Sequence, residues 1–159
     1  MVQKRSALDW ILEGVAVSAL AMIIGTVSVH WTELAAQVPI HFGISGSPDR
    51  WGNKNELLLL PLTAIGLYTL LTVTSRYQRF INVPMAIDRD APEVQRLLQS
   101  MSITLKMVVL LVLPYIEWAV VNTALGRSAG LGRQFLPISL VAIFLPLGFY
   151  LLRLRRHQK

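Results

Sequence analysis

Met107-Val-Val-Leu-Leu-Val-Leu-Pro-Tyr-Ile-Glu117-Trp-Ala-Val-Val-Asn-Thr-Ala-Leu-Gly126 runs for 20 residues with one charged side chain, Glu117. A helix of that length rises about 30 Å, the thickness of a bilayer's hydrocarbon core. The stretch has three companions. Gly14 to Thr32, Leu57 to Ser75 and Gln134 to Leu152 each extend for 19 residues without an acid or a base. Hydrophobic residues make up 53% of the 159-residue chain and charged residues 15%, against about 25% charged in soluble domains. Because the deficit is concentrated in four spans, a soluble globular domain is excluded. The sequence predicts an all-α integral membrane four-helix bundle.

Charge outside the spans orients it. Eleven Lys and Arg fall before the first span, between the second and third, or after the fourth; four, Arg50, Lys54, Arg127 and Arg133, fall in the other two connections. Cytoplasmic loops carry the basic excess, which predicts cytoplasmic N and C termini in a bacterial inner membrane. The net charge of +6 is then a topology signal and a contact with lipid headgroups, with no nucleic-acid partner expected. The uncharged run after Lys4 and Arg5 is longer than the apolar core of a signal peptide and lacks a prompt small-x-small cleavage site, so it reads as a retained helix. The chain is read as one membrane domain over 1–159. Its helices lie at about 10–29, 57–75, 92–125 and 134–152, with an external loop over 30–56 and a cytosolic connection over 76–106.

Three local readings follow. Gly14, Ser18, Ala21, Gly25 and Ser28 recur at steps of four and three, a stripe of small residues expected to pack inside the bundle, with a homo-oligomer face as the other use. Asp90-Ala-Pro92-Glu93 reads as a helix start, Asp90 as N-cap and Glu93 closing a capping box. From Val94 the helix should continue into the third span, with Val94, Leu97, Leu98 and Met101 on one face, set on the bilayer or the bundle base or docking a cytosolic partner.

Two places could carry chemistry. Glu117 falls midway along its span, where an ionised carboxylate is costly. It is expected to face the bundle as a neutral acid hydrogen-bonded between helices, with Tyr68 of the second span as partner. A relay would need several such groups, so an accessory transporter subunit with Glu117 as protonatable group is the second functional reading. The other place is Val38-Pro39-Ile40-His41-Phe42-Gly43-Ile44-Ser45-Gly46-Ser47-Pro48-Asp49-Arg50-Trp51-Gly52-Asn53-Lys54. Its glycines and prolines imply consecutive tight turns, with Gly46 to Asp49 as one β-turn. Trp31 and Trp51 should hold the loop at the headgroups. A metal site would draw on His41 and Asp49 with His30 or Glu33, but no ligand spacing supports one. Anion binding would draw on Arg50 and Lys54. The favoured reading has His41 and Asp49 hydrogen-bonding the turn's own backbone. No nucleophile elbow, phosphate loop or haem histidine pair occurs, so neither an enzyme nor a cofactor is expected.

The same loop, from Val38-Pro39-Ile40-His41-Phe42-Gly43 through Gly46 and Pro48-Asp49-Arg50-Trp51-Gly52 to Lys54, resembles the signature of a bacterial membrane domain of unknown function. That domain also forms the N-terminal part of the Sdp-type immunity proteins, which protect producers of a secreted killing peptide. The resemblance covers roughly Trp10 to Leu71 and marks Pro39, His41, Gly46, Asp49 and Lys54. Leu34-Ala35 stands where the family has Leu-Pro, and the immunity proteins' C-terminal signature has no counterpart after Gly126. The resemblance implies a non-enzymatic binding module in the lipid bilayer that senses or neutralises a peptide or a membrane-protein partner through this loop.

Overall fold

The computed structural model describes residues 5–77 and 80–158. Lys4, Arg79 and Lys159, three of the basic residues counted above, lie outside the described residues. The chain forms α1 (Ala7–His30), β1 (Gln37–Phe42), β2 (Pro48–Asn53), a 3-10 turn (Lys54–Leu58), α2 (Leu59–Arg76), α3 (Pro92–Ala124) and α4 (Phe135–Arg155). Among the described residues four helices are long and apolar enough to cross a membrane, with the 3-10 turn counted as the start of the second, so this is a multi-pass membrane protein.

Helix α1 starts where a capping box fixes it. The Asp9 N–H donates to Ser6 Oγ at 3.1 Å, and the Ser6 N–H donates to Asp9 Oδ2 at 2.8 Å. Its buried face is Asp9, Glu13, Ala16, Ala19, Ile23 and Val27. This corrects the expectation for the small-residue stripe. Gly14, Ser18, Ala21 and Ser28 point outward, about one residue round the helix from the packed face, and only Gly25 is partly covered. The reason is Glu13, whose burial against α3 fixes the rotation of α1.

Helix α3 is the axis of the fold. It packs against α1 on one side and α2 on another, while α4 leans chiefly on α3. Its 33 residues rise about 50 Å, well beyond a hydrocarbon core. The excess is the predicted amphipathic extension, where Val94, Leu98 and Met101 are buried with Val83 and with Leu154 of α4. That face is therefore covered by the protein itself. The N-cap is Ala91, in extended conformation with no side-chain cap bond, and Pro92 is the first helical residue. Asp90 does not cap the helix as expected, because proline forces the residue before it out of the helical region and itself suits the first turn.

The connection between α1 and α2 is a β-hairpin, which corrects the purely helical expectation. Strands β1 and β2 pair antiparallel, from Gln37 opposite Asn53 to Phe42 opposite Pro48, with irregular register on both sides of His41. The reversal is made by Gly43 to Ser47: the Gly46 N–H donates to Gly43 O at 2.8 Å and the Gly43 N–H to Ser47 O at 2.9 Å. The turn therefore lies before Pro48 and Asp49, which belong to β2, and not over Gly46 to Asp49.

Candidate functional site

The hairpin is fastened at its inner strand, its tip and its exit. Val38 and Pro39 of β1 are buried, Val38 in a cluster with Val27, Leu34, Leu57, Val120 and Val121. At the tip, the Leu131 N–H from the α3–α4 connection donates to Gly46 O at 2.8 Å. Gly46 has φ +79°, a conformation open to glycine, and a Cβ there would overlap the backbone of Gly132. At the exit, the Lys54 ammonium donates to Trp31 O at 3.2 Å and Leu34 O at 3.4 Å and sits 5.0 Å from the Trp31 ring centroid. It neutralises carbonyls just past the negative end of α1. Its donors are directed into the fold, so Lys54 and Arg50 do not form an anion site together. Gly46→Ala should therefore lower stability in detergent by about 1–3 kcal/mol, from the positive φ and the overlap together; an unchanged unfolding midpoint would refute this close packing.

Pro39, Gly46 and Lys54 thus build the platform, and His41, Asp49 and Arg50 are what it presents. His41 Nδ1 and Asp49 Oδ1 are 2.6 Å apart, each side chain about half exposed. The pair bonds to itself across the hairpin, where the expectation was a bond to the turn's backbone. Arg50 stands opposite His41 in register, and its side chain has no hydrogen-bond or ion-pair partner among the described residues. Ile44 at the tip is 86% exposed and Trp51 is exposed beside Arg50. The metal set is not assembled. His30 Nδ1 lies 3.0 Å from Thr26 O, and Glu33 accepts from Arg127 at 3.2 Å. Among the described residues no three of His, Asp and Glu are placed to hold a metal ion.

Sequence reasoning missed a polar cluster at the opposite end of the helices. Lys106, fully buried, donates to both oxygens of Glu13 at 2.8 Å and to Thr72 Oγ1 at 3.0 Å, which uses all three ammonium hydrogens. Tyr68 donates to Glu13 Oε1 at 2.9 Å and Arg5 to Glu13 Oε2 at 3.1 Å. Glu13 thereby ties α1, α2 and α3 together. Tyr68 is Glu13's partner, which corrects its expected pairing with Glu117. Glu13 and Lys106 both fall inside helices expected from the sequence, at about 10–29 and 92–125, but no local pattern pairs them.

Glu117 is fully buried on α3, and neither carboxyl oxygen has a hydrogen-bond partner among the described residues. It follows Lys106 by 11 residues, about 20° past three full turns, so both lie on one stripe of α3. Leu110 and Pro114, both buried, separate them.

A family model described as "Domain of unknown function (DUF1648)" matches residues 17–65, which hold most of α1, the whole hairpin and the start of α2. An uncharacterized protein of Archaeoglobus fulgidus is 40% identical over 62 residues, 34% of this chain and 34% of that protein. The match thus spans about a third of that relative's length. No solved structure matches the chain.

Proposed function

We infer that this chain is a non-enzymatic interaction protein of a bacterial cytoplasmic membrane, with both termini inside and the hairpin outside, where it receives a peptide or a membrane-protein partner. The observation that carries this reading is the division of labour in the hairpin. Its inner strand, tip and exit are fixed to the helices, while His41, Asp49, Arg50, Ile44 and Trp51 are displayed. Exposed groups on a rigid support suit binding. The partner should read side chains, because the irregular register about His41 together with Pro39, Pro48, Asp49 and Arg50 makes the strand edges poor templates for an added strand. The resemblance of the loop to the N-terminal part of the Sdp-type immunity proteins favours a peptide.

A half-exposed ion pair adds less than about 1 kcal/mol to stability. His41→Ala and Asp49→Ala should therefore leave the unfolding midpoint in detergent almost unchanged and abolish retention of the co-purifying peptide or protein, read by mass spectrometry. Retention at the unsubstituted level by both variants would sink the hairpin reading. The orientation has its own measurement, and no native cysteine interferes. In intact cells Ser45→Cys should react with an impermeant maleimide and Asn82→Cys should not; the opposite pattern would invert the topology.

The burial of Glu117 without a hydrogen-bond partner among the described residues supports a second reading, a small subunit of a transporter in which this acid takes up and releases a proton.

A further inference from the structure

Between α3 and α4 runs an apolar groove of about 520 Å³, within the range of small-ligand sites. Val108, Val112 and Tyr115 of α3 and Phe135, Ile138 and Ala142 of α4 line it. Its shape is set at the hairpin end, where the Tyr115 hydroxyl donates to Leu131 O at 3.0 Å and the Tyr115 ring stacks on Phe135 with centroids 5.3 Å apart. Because α4 leans chiefly on α3, the groove is open along its length to whatever surrounds the helices. A membrane supplies acyl chains there.

The hairpin end of the groove carries a charge. Arg133 lines that end and is exposed, with no hydrogen-bond or ion-pair partner among the described residues. The other basic residue of the same connection, Arg127, is paired with Glu33 at 3.2 Å. From Trp118 to Lys159 the sequence contains no acid that could neutralise Arg133. An unpaired guanidinium at the membrane surface, directly above an apolar trough, matches a phosphate above an acyl chain. We propose that the α3–α4 groove binds one phospholipid with an anionic headgroup from the leaflet on the hairpin side, its phosphate on Arg133 and an acyl chain along Val112 and Ile138.

The test is native mass spectrometry of the full chain released from detergent micelles with added phosphatidylglycerol or phosphatidylcholine. One phosphatidylglycerol should be retained about fivefold better than phosphatidylcholine, the factor that one basic side chain at a membrane surface contributes. Arg133→Gln should remove that preference, while Arg133→Lys and Arg127→Gln keep it. Equal retention of the two lipids by the unsubstituted protein would overturn the proposal. So would a preference that survives Arg133→Gln, which would belong to the cluster Arg153, Arg155 and Arg156 at the other end of α4. Loss of the preference in Arg127→Gln as well would reduce it to net charge and overturn the site.

Discussion

Lys106→Met is expected to lower the unfolding free energy by about 3–5 kcal/mol, the usual consequence of removing one partner from a buried ion pair. The size follows from what is left behind. Glu13, 8% exposed, would keep the hydroxyl of Tyr68 and the guanidinium of Arg5 but lose both 2.8 Å bonds from the ammonium. Thr72 would lose a donor at the same time. A carboxylate in apolar surroundings with half its donors gone is costly, and methionine matches lysine in length well enough that packing changes little. The control is the double variant Glu13→Gln with Lys106→Met. With both charges removed, most of the lost stability should return, because two neutral side chains of similar shape replace a pair whose desolvation cost nearly matched its attraction. Denaturant titration in mixed micelles reads both. A Lys106→Met variant within about 1 kcal/mol of the unsubstituted protein, the range of an exposed pair, would mean that water reaches this pair.

The same pair marks where sequence reading stops. Charges kept out of long apolar runs made the four helices legible, because a bare charge in lipid is so unfavourable that the pattern is strict. Glu13 and Lys106 each adjoin an uncharged run and fall inside the expected first and third helices, but they satisfy each other across 93 positions of sequence. Nothing local announces a bond of that kind. The hairpin shows a different failure. Its turn residues were visible, but its strands were not, because the irregular register around His41 breaks the alternation by which strands are recognised, and the adjacent Val38 and Pro39 are both buried. The candidate residues of this loop then divide by contacts the sequence does not contain. Gly46 is marked by the backbone of Gly132, and Lys54 by the carbonyls of Trp31 and Leu34 just past the end of α1. His41, Asp49 and Arg50 are left as the displayed set.

Glu117→Leu should move stability the other way, upward by about 1–3 kcal/mol, the cost of a buried polar group without a hydrogen bond. Leucine keeps roughly the volume and removes two oxygens that nothing among the described residues satisfies, in a site between the buried Pro114 and the buried Val120 and Val121. A residue that lowers stability where an apolar one would raise it is placed as functional groups often are, at a cost borne by the rest of the fold. The stability change and the functional readout together separate the two readings of this protein. If Glu117→Leu raises the unfolding midpoint and leaves partner retention by the hairpin intact, the carboxyl serves something other than binding. A proton-flux assay in liposomes, comparing Glu117→Gln with the unsubstituted protein, then decides whether that something is transport. If the variant unfolds more easily, Glu117 has a partner that holds it in place, and the argument from an unsatisfied acid fails. If stability rises while partner retention is lost, Glu117 and the hairpin act as one site, coupled through Val120 and Val121, which pack beneath Val38.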